Sequence, residues 1–131
     1  MRNPDTVFAD SKTLTELFPE SRTNEFFEAL FGDADEGAYD IRLRYGGFDA
    51  ANKRLTLYLD LHQRPGKCLA CNLTSGLPAV FEKHPIINIK GLAEQAASLA
   101  EARCTDWRLD RTRQEERERY CIPLILTLAD A

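Results

Sequence analysis

Two runs of strict alternation, separated by a short polar segment, constrain this chain more than any other feature. In the first, Tyr39, Ile41, Leu43 and Tyr45 share one side while Asp40, Arg42 and Arg44 share the other. In the second, Leu55, Leu57, Leu59 and Leu61 alternate with Thr56, Tyr58, Asp60 and His62. A period of two assigns each set to one face of a pleated strand. Between the runs, residues 48–53 include Asp49 and Asn52, whose side chains bond to nearby backbone and favour a reversal. The pattern predicts an antiparallel hairpin with a leucine-lined face that a second layer must cover.

Helical periodicity supplies that layer. Segment 13–18 begins with Thr13 and Glu16 at capping-box spacing, carries Leu14, Leu17 and Phe18 on one side, and meets Pro19 as a stop. Segment 23–31 has a wide stripe of Phe26, Phe27, Leu30 and Phe31, followed by Gly32 at the position that favours left-handed backbone. Residues 77–83 read as one or two turns, and 89–102 as a longer helix burying Ile89, Leu92, Ala93, Ala96, Leu99 and Ala100.

The last third is extended, with strands at 105–111 and 120–128 around a charged turn; Pro123 predicts an edge position or a bulge. The stretch from Tyr39 to Arg44 resembles that from Thr105 to Asp110, and each follows a helix and precedes a leucine-alternating strand. The expected fold is therefore α+β: one domain over 1–131, with 1–22 as an N-terminal segment and 23–131 as the core. A four- to five-stranded antiparallel sheet is expected, with the 23–31 and 89–102 helices on one face and a possible αββ duplication.

Charge narrows the partners. Phosphate recognition needs clustered Lys and Arg, whereas the chain has a formal net charge of −4. The Arg-rich segment 103–119 is balanced by Asp106, Asp110, Glu115, Glu116 and Glu118, the pattern of a solvated face. No nucleic-acid or membrane partner is expected. The longest apolar run, 121–129, is interrupted by Pro123 and Thr127, and the N-terminus shows no secretory signal. A cytoplasmic location follows, with all cysteines as reduced thiols.

Unusual chemistry concentrates in 62–72, where His62, the turn pair Pro65-Gly66 and the Cys68-x-x-Cys71 spacing occur together. A thiol pair of this kind ligates zinc, cycles between dithiol and disulfide, or fills space. A zinc site would draw on Cys68, Cys71, Cys104, Cys121 and His62. If 68–74 continues the sheet as a third strand, however, residues three apart point to opposite faces and the two thiols separate. A redox pair is expected to open a helix, and Asn72-Leu73-Thr74-Ser75-Gly76 is a poor helix former. The packing reading is therefore favoured. His62 and His84 are the only imidazoles available as bases, and the sequence holds no nucleophile elbow, glycine-rich phosphate loop or calcium-loop spacing.

The stretch from Asn24 to Gly32, the run Ala38-Tyr39-Asp40-Ile41 and the segment from Leu61 to Thr74 resemble a family of small, uncharacterised bacterial cytosolic proteins. Some of its members carry an automatic homeobox label. The resemblance spans most of 24–128 and implies a bacterial cytosolic protein, with no activity or site residues to carry over. A homeodomain would need a basic recognition helix and a basic arm, and the chain has neither.

The resulting expectation is a non-enzymatic interaction or regulatory module. Its partner would be another protein or a second copy, bound through sheet edges or outward-facing Tyr45, Phe48 and Tyr58. The alternative is a zinc-binding or thiol-redox protein using Cys68 and Cys71, and zinc is the sole cofactor in view.

Overall fold

The computed structural model describes residues 1–72 and 76–130. A short helix α1 (Pro4–Val7) starts with proline in its first turn, and the Asn3 side chain accepts the Asp5 N–H. Helix α2 (Ser11–Leu17) starts earlier than expected because Asp10 is its cap, accepting the Lys12 N–H. Thr13 and Glu16 therefore lie inside the helix and form no capping box. Helix α3 (Glu20–Phe31) begins directly after Pro19 and ends at Gly32, whose φ of 79° favours a residue without Cβ.

Strands β1 (Tyr39–Asp49) and β2 (Arg54–Gln63) form the expected hairpin, with Leu43 opposite Leu59. A register shift between Tyr45 and Gly47 returns Phe48 to the leucine face opposite Leu55. A β-turn follows, with the Lys67 N–H donating to the Arg64 carbonyl and Gly66 at φ 75°. Helices α4 (Leu77–Lys83) and α5 (Ile89–Leu99) come next, the second capped by Asn88. Strands β3 (Ala102–Leu109), β4 (Arg113–Glu116) and β5 (Arg119–Asp130) complete the chain.

All pairings are antiparallel, in the order β1-β2-β5-β3, with β4 beside the first residues of β5. Strands β2 and β5 thus lie together at the centre, with β1 and β3 at the edges. Pro123 therefore sits in a central strand rather than at an edge, and the other alternative, an irregularity of the ladder, is what surrounds it: β3 pairs up to Leu109–Leu124 and β4 resumes at Arg113–Cys121. The Pro123 carbonyl accepts the Asp110 N–H, so its own nitrogen faces the gap where residues 110–112 leave the sheet between β3 and β4. No ladder donor is missed there.

The helices cover one face of the sheet. Leu55, Leu57, Leu59, Leu61, Leu124 and Leu126 are fully buried on it, against Phe26, Phe81, Leu92 and Ala96. The N-terminal helices add Val7, Phe8, Leu14, Leu17 and Phe18 to the same core. Tyr45 and Phe48 also pack there, correcting the expectation that they face outward. The Tyr45 ring stacks on Phe8 at 5.6 Å, and its hydroxyl bonds to Asp5. The opposite face is open and carries Tyr58, with the Arg44 guanidinium 4.3 Å above its ring. Among the described residues, no helix is long and apolar enough to cross a membrane.

Candidate functional site: a paired-cysteine turn at the end of β2

Strand β2 is hydrogen-bonded to β1 on one side and β5 on the other. A segment leaving β2 through the 64–67 turn therefore finds no free edge to join. Residues 68–72 instead form an irregular turn ending in a 3₁₀ turn, Ala70–Asn72. This overturns the expected third strand over 68–72; the remainder of that expected strand, 73–74, lies outside the described residues. The change of geometry reverses the argument about the thiols. In a turn, residues three apart lie on the same side, and Cys68 and Cys71 are joined by a disulfide with Cα atoms 5.3 Å apart.

Among the described residues, three contacts hold this turn. The Cys71 N–H donates to Cys68 Sγ at 3.2 Å, the same three-residue reach by which a capping side chain serves a helix start. The Leu69 N–H donates to Gln63 Oε1 at 2.9 Å. The Leu69 side chain is fully buried in the core, whereas Cys68, Ala70 and Cys71 are exposed. Leu69 is the plug and the cysteines flank it at the surface.

The base of the turn is rigidly attached. The Gln63 N–H donates to the Glu118 carbonyl, and the Arg64 N–H to that of Ala38. The Arg64 guanidinium donates to Asp40 at 3.1 Å, to the Ala34 carbonyl at 2.8 Å and to Asn24 Oδ1 at 2.8 Å, and lies 5.3 Å from the Phe27 ring centre. One side chain thus ties the turn to α3, to the segment before β1, and to β1 itself.

The other residues proposed as ligands lie elsewhere. Cys121 is buried on the open face, where its thiol donates to Glu115 Oε1 at 3.0 Å. Burial, reinforced by that carboxylate, pushes the Cys121 thiol up to about 12. Cys104 is half-buried opposite Leu128, donates to the Asp106 carbonyl at 3.3 Å, and has its pKa raised chiefly by burial. Leu128 is seven residues along β5 from Cys121, about 23 Å at strand rise, so these two thiols cannot share an ion.

His62 lies on the open face opposite Asp40 and Arg119. Burial and then the Arg42 charge lower its pKa. His84 serves the end of α4: its Nδ1 accepts the Ile86 N–H, and its ring meets the Phe26 ring edge-on at 4.8 Å. Among the described residues, no group of three or more His, Cys, Asp and Glu is arranged to hold a metal ion. The expectation of reduced cysteines throughout is also corrected, since only Cys104 and Cys121 are free thiols.

Sequence reasoning missed two further features. One is the Gln63–Leu69 contact, which joins a strand end to a turn and has no periodic signature. The other is the carboxylate of Asp60, only 6% exposed, which accepts from Arg44 at 2.8 and 3.1 Å and lies 3.6 Å from Arg119. Its signal was present in the opposite charges of Arg44 and Asp60 on one face of a hairpin. Comparison with protein-family models, curated proteins and solved structures gives no match for this chain, so a functional reading rests on the geometry of the thiol pair.

Proposed function

We propose that the protein is a thiol–disulfide module in which Cys68 and Cys71 cycle between dithiol and disulfide in exchange with thiols of another protein. One observation carries the reading: the two cysteines are bonded to each other on an exposed turn whose start is anchored to the sheet through Gln63 and Arg64. Exchange requires a sulfur that an incoming thiolate can reach, and reversibility requires that the partner sulfur stay nearby when the bond opens. An exposed pair meets the first requirement. The Leu69 plug and the Gln63 contact meet the second. In a cytoplasm kept reducing, the pair would rest as the dithiol and oxidise only in turnover or under oxidative load.

The test is a redox titration in graded mixtures of reduced and oxidised dithiothreitol, followed by alkylation and intact-mass counting. The expected result is one two-electron transition in which the number of alkylated thiols changes by two, with Cys68 and Cys71 as the changing sites. A pair that never oxidises in the folded protein refutes the proposal, as does a pair that reduces only when the chain unfolds. Stoichiometric zinc on reduced protein purified without chelator would instead favour the metal reading of Cys68 and Cys71.

A further inference from the structure

Resting on that reading, we infer that the two sulfurs have unequal roles: Cys68 attacks, Cys71 resolves, and the substrate class is an accessible disulfide. The asymmetry lies in the Cys71 N–H, which points at Cys68 Sγ from 3.2 Å. No corresponding donor serves Cys71 Sγ among the described hydrogen bonds of the turn. The donor is a main-chain group two residues from the buried Leu69, so no side-chain rotamer has to be held for it to serve the sulfur when the disulfide opens. A hydrogen bond to the charged form of an acid favours ionisation, and the thiolate is the nucleophile.

The chemistry balances as two displacements. The Cys68 thiolate attacks one sulfur of a substrate disulfide R–S–S–R′. The Cys68–S(R) bond forms, the S–S bond of the substrate breaks, and R′–S⁻ leaves to take a proton from water. Cys71, having lost its proton to solvent, then attacks Cys68 Sγ. The Cys68–Cys71 bond forms and R–S⁻ is released. The substrate disulfide gains two electrons and the pair loses two; a reduced dithiol of the cell returns the protein to its starting state.

Leu69 and the Gln63 contact give this order a structural meaning. Both hold the segment between the sulfurs, so Cys71 needs no chain rearrangement to reach Cys68 in the second displacement. The intermediate on Cys68 should therefore be short-lived in the native protein and persist only when Cys71 is absent.

The experiment uses the full chain and its two single variants. Cys71→Ser keeps the main-chain donor and leaves Cys68 as the reactive thiol; Cys68→Ser leaves Cys71. Each is treated with iodoacetamide across pH 5–9 and, separately, with oxidised glutathione, and followed by intact mass. Cys68 in the first variant is expected to alkylate at least threefold faster at neutral pH than Cys71 in the second. Its rate profile should turn over at lower pH, and it should hold a glutathione adduct that wild type does not accumulate. Equal rates, or a faster Cys71, overturn the assignment. Partial alkylation of reduced wild type, with the modified site located by fragmentation, gives the same comparison without any substitution. A normal wild-type titration together with symmetric alkylation would sink the assignment and leave the reversible pair standing; a wild type with no reversible disulfide would sink both.

Discussion

Reducing the Cys68–Cys71 bond should lower the stability of the fold by a small amount set by the size of its ring. The cysteines are separated by 3 positions, so the bond closes a loop of four residues counted end to end. In the chain-entropy treatment, such a loop removes about 6 cal/mol/K from the unfolded ensemble, or about 1.9 kcal/mol at room temperature. A chain of 131 residues unfolds with an entropy of about 275 cal/mol/K near its midpoint, so the loss corresponds to a fall in Tm of about 7 °C.

Linkage works in the other direction too. Whatever the bond adds to the folded state, the fold adds to the bond, and 1.9 kcal/mol makes it harder to reduce by about 40 mV than in the unfolded chain. The assay is thermal unfolding by circular dichroism, with and without a phosphine reductant, on wild type and on the Cys68→Ser, Cys71→Ser double variant. Wild type should drop on reduction to near the double variant, and the double variant should not respond. An equal response of both proteins, or none in wild type, would refute the argument. A loss of 20 °C or more would show that the turn does far more than close a small ring.

Three other outcomes follow from the geometry. Gln63→Ala removes the acceptor of the Leu69 N–H, a loss of about 1 kcal/mol that should speed exchange of that amide about fivefold, while Gln63→Glu retains an acceptor; unchanged exchange in the alanine variant would rule out the anchor. Thr23 is fully buried and its Oγ1 accepts the Ile41 N–H at 3.3 Å, so the isosteric Thr23→Val should cost about 1–3 kcal/mol by leaving a β1 amide unpartnered, and an unmoved urea midpoint would contradict this. The Cys121 thiol ionises near 9.0 when unfolded and at about 12 when folded. Its contribution is therefore complete below pH 9 and lost as pH rises from 9 to 12, because only the unfolded chain gains charge in that window. Cys121→Ser should flatten that part of the stability profile relative to wild type, and parallel profiles would disprove the link.

Local pattern alone is enough to read the hairpin of β1 and β2, since Leu55 to Leu61 and Tyr39 to Tyr45 repeat at the period of a strand and are separated by a turn-forming segment. Helices α3 and α5 were legible for the same reason, and so was the pairing of each with a following hairpin. Boundaries were less so, because caps compete. Asp10 outbids Thr13 as the start of α2 by offering a carboxylate to the Lys12 N–H, and the 13/16 spacing carried no information about that alternative. Of the two positions that Pro123 predicts, an edge or a break in the ladder, the edge fails because that rule asks only whether a strand is central. The rule that matters is whether the proline nitrogen faces a ladder partner, and here it faces the break between β3 and β4. Tyr45 and Phe48 were assigned to solvent although their neighbours alternate inward; the register shift at Gly47 keeps both on the buried face.

The thiol pair was illegible for a topological reason. A strand over 68–71 would put Cys68 and Ala70 on one side and Leu69 and Cys71 on the other. Leu69 is buried in either geometry, so the most hydrophobic residue of the segment cannot discriminate between them. Cys71 can: a strand buries it beside Leu69, whereas the turn exposes it beside Cys68. What decides the matter is the position of β5, which occupies the edge of β2 that a third meander strand would have used, and which arrives from more than fifty residues downstream. Without β5 the segment can extend and its sulfurs part. With β5 in place it must turn away from the sheet, and turning brings the sulfurs together at the surface. The chemistry of this pair is therefore a consequence of the strand order, and only through the strand order could the sequence have revealed it.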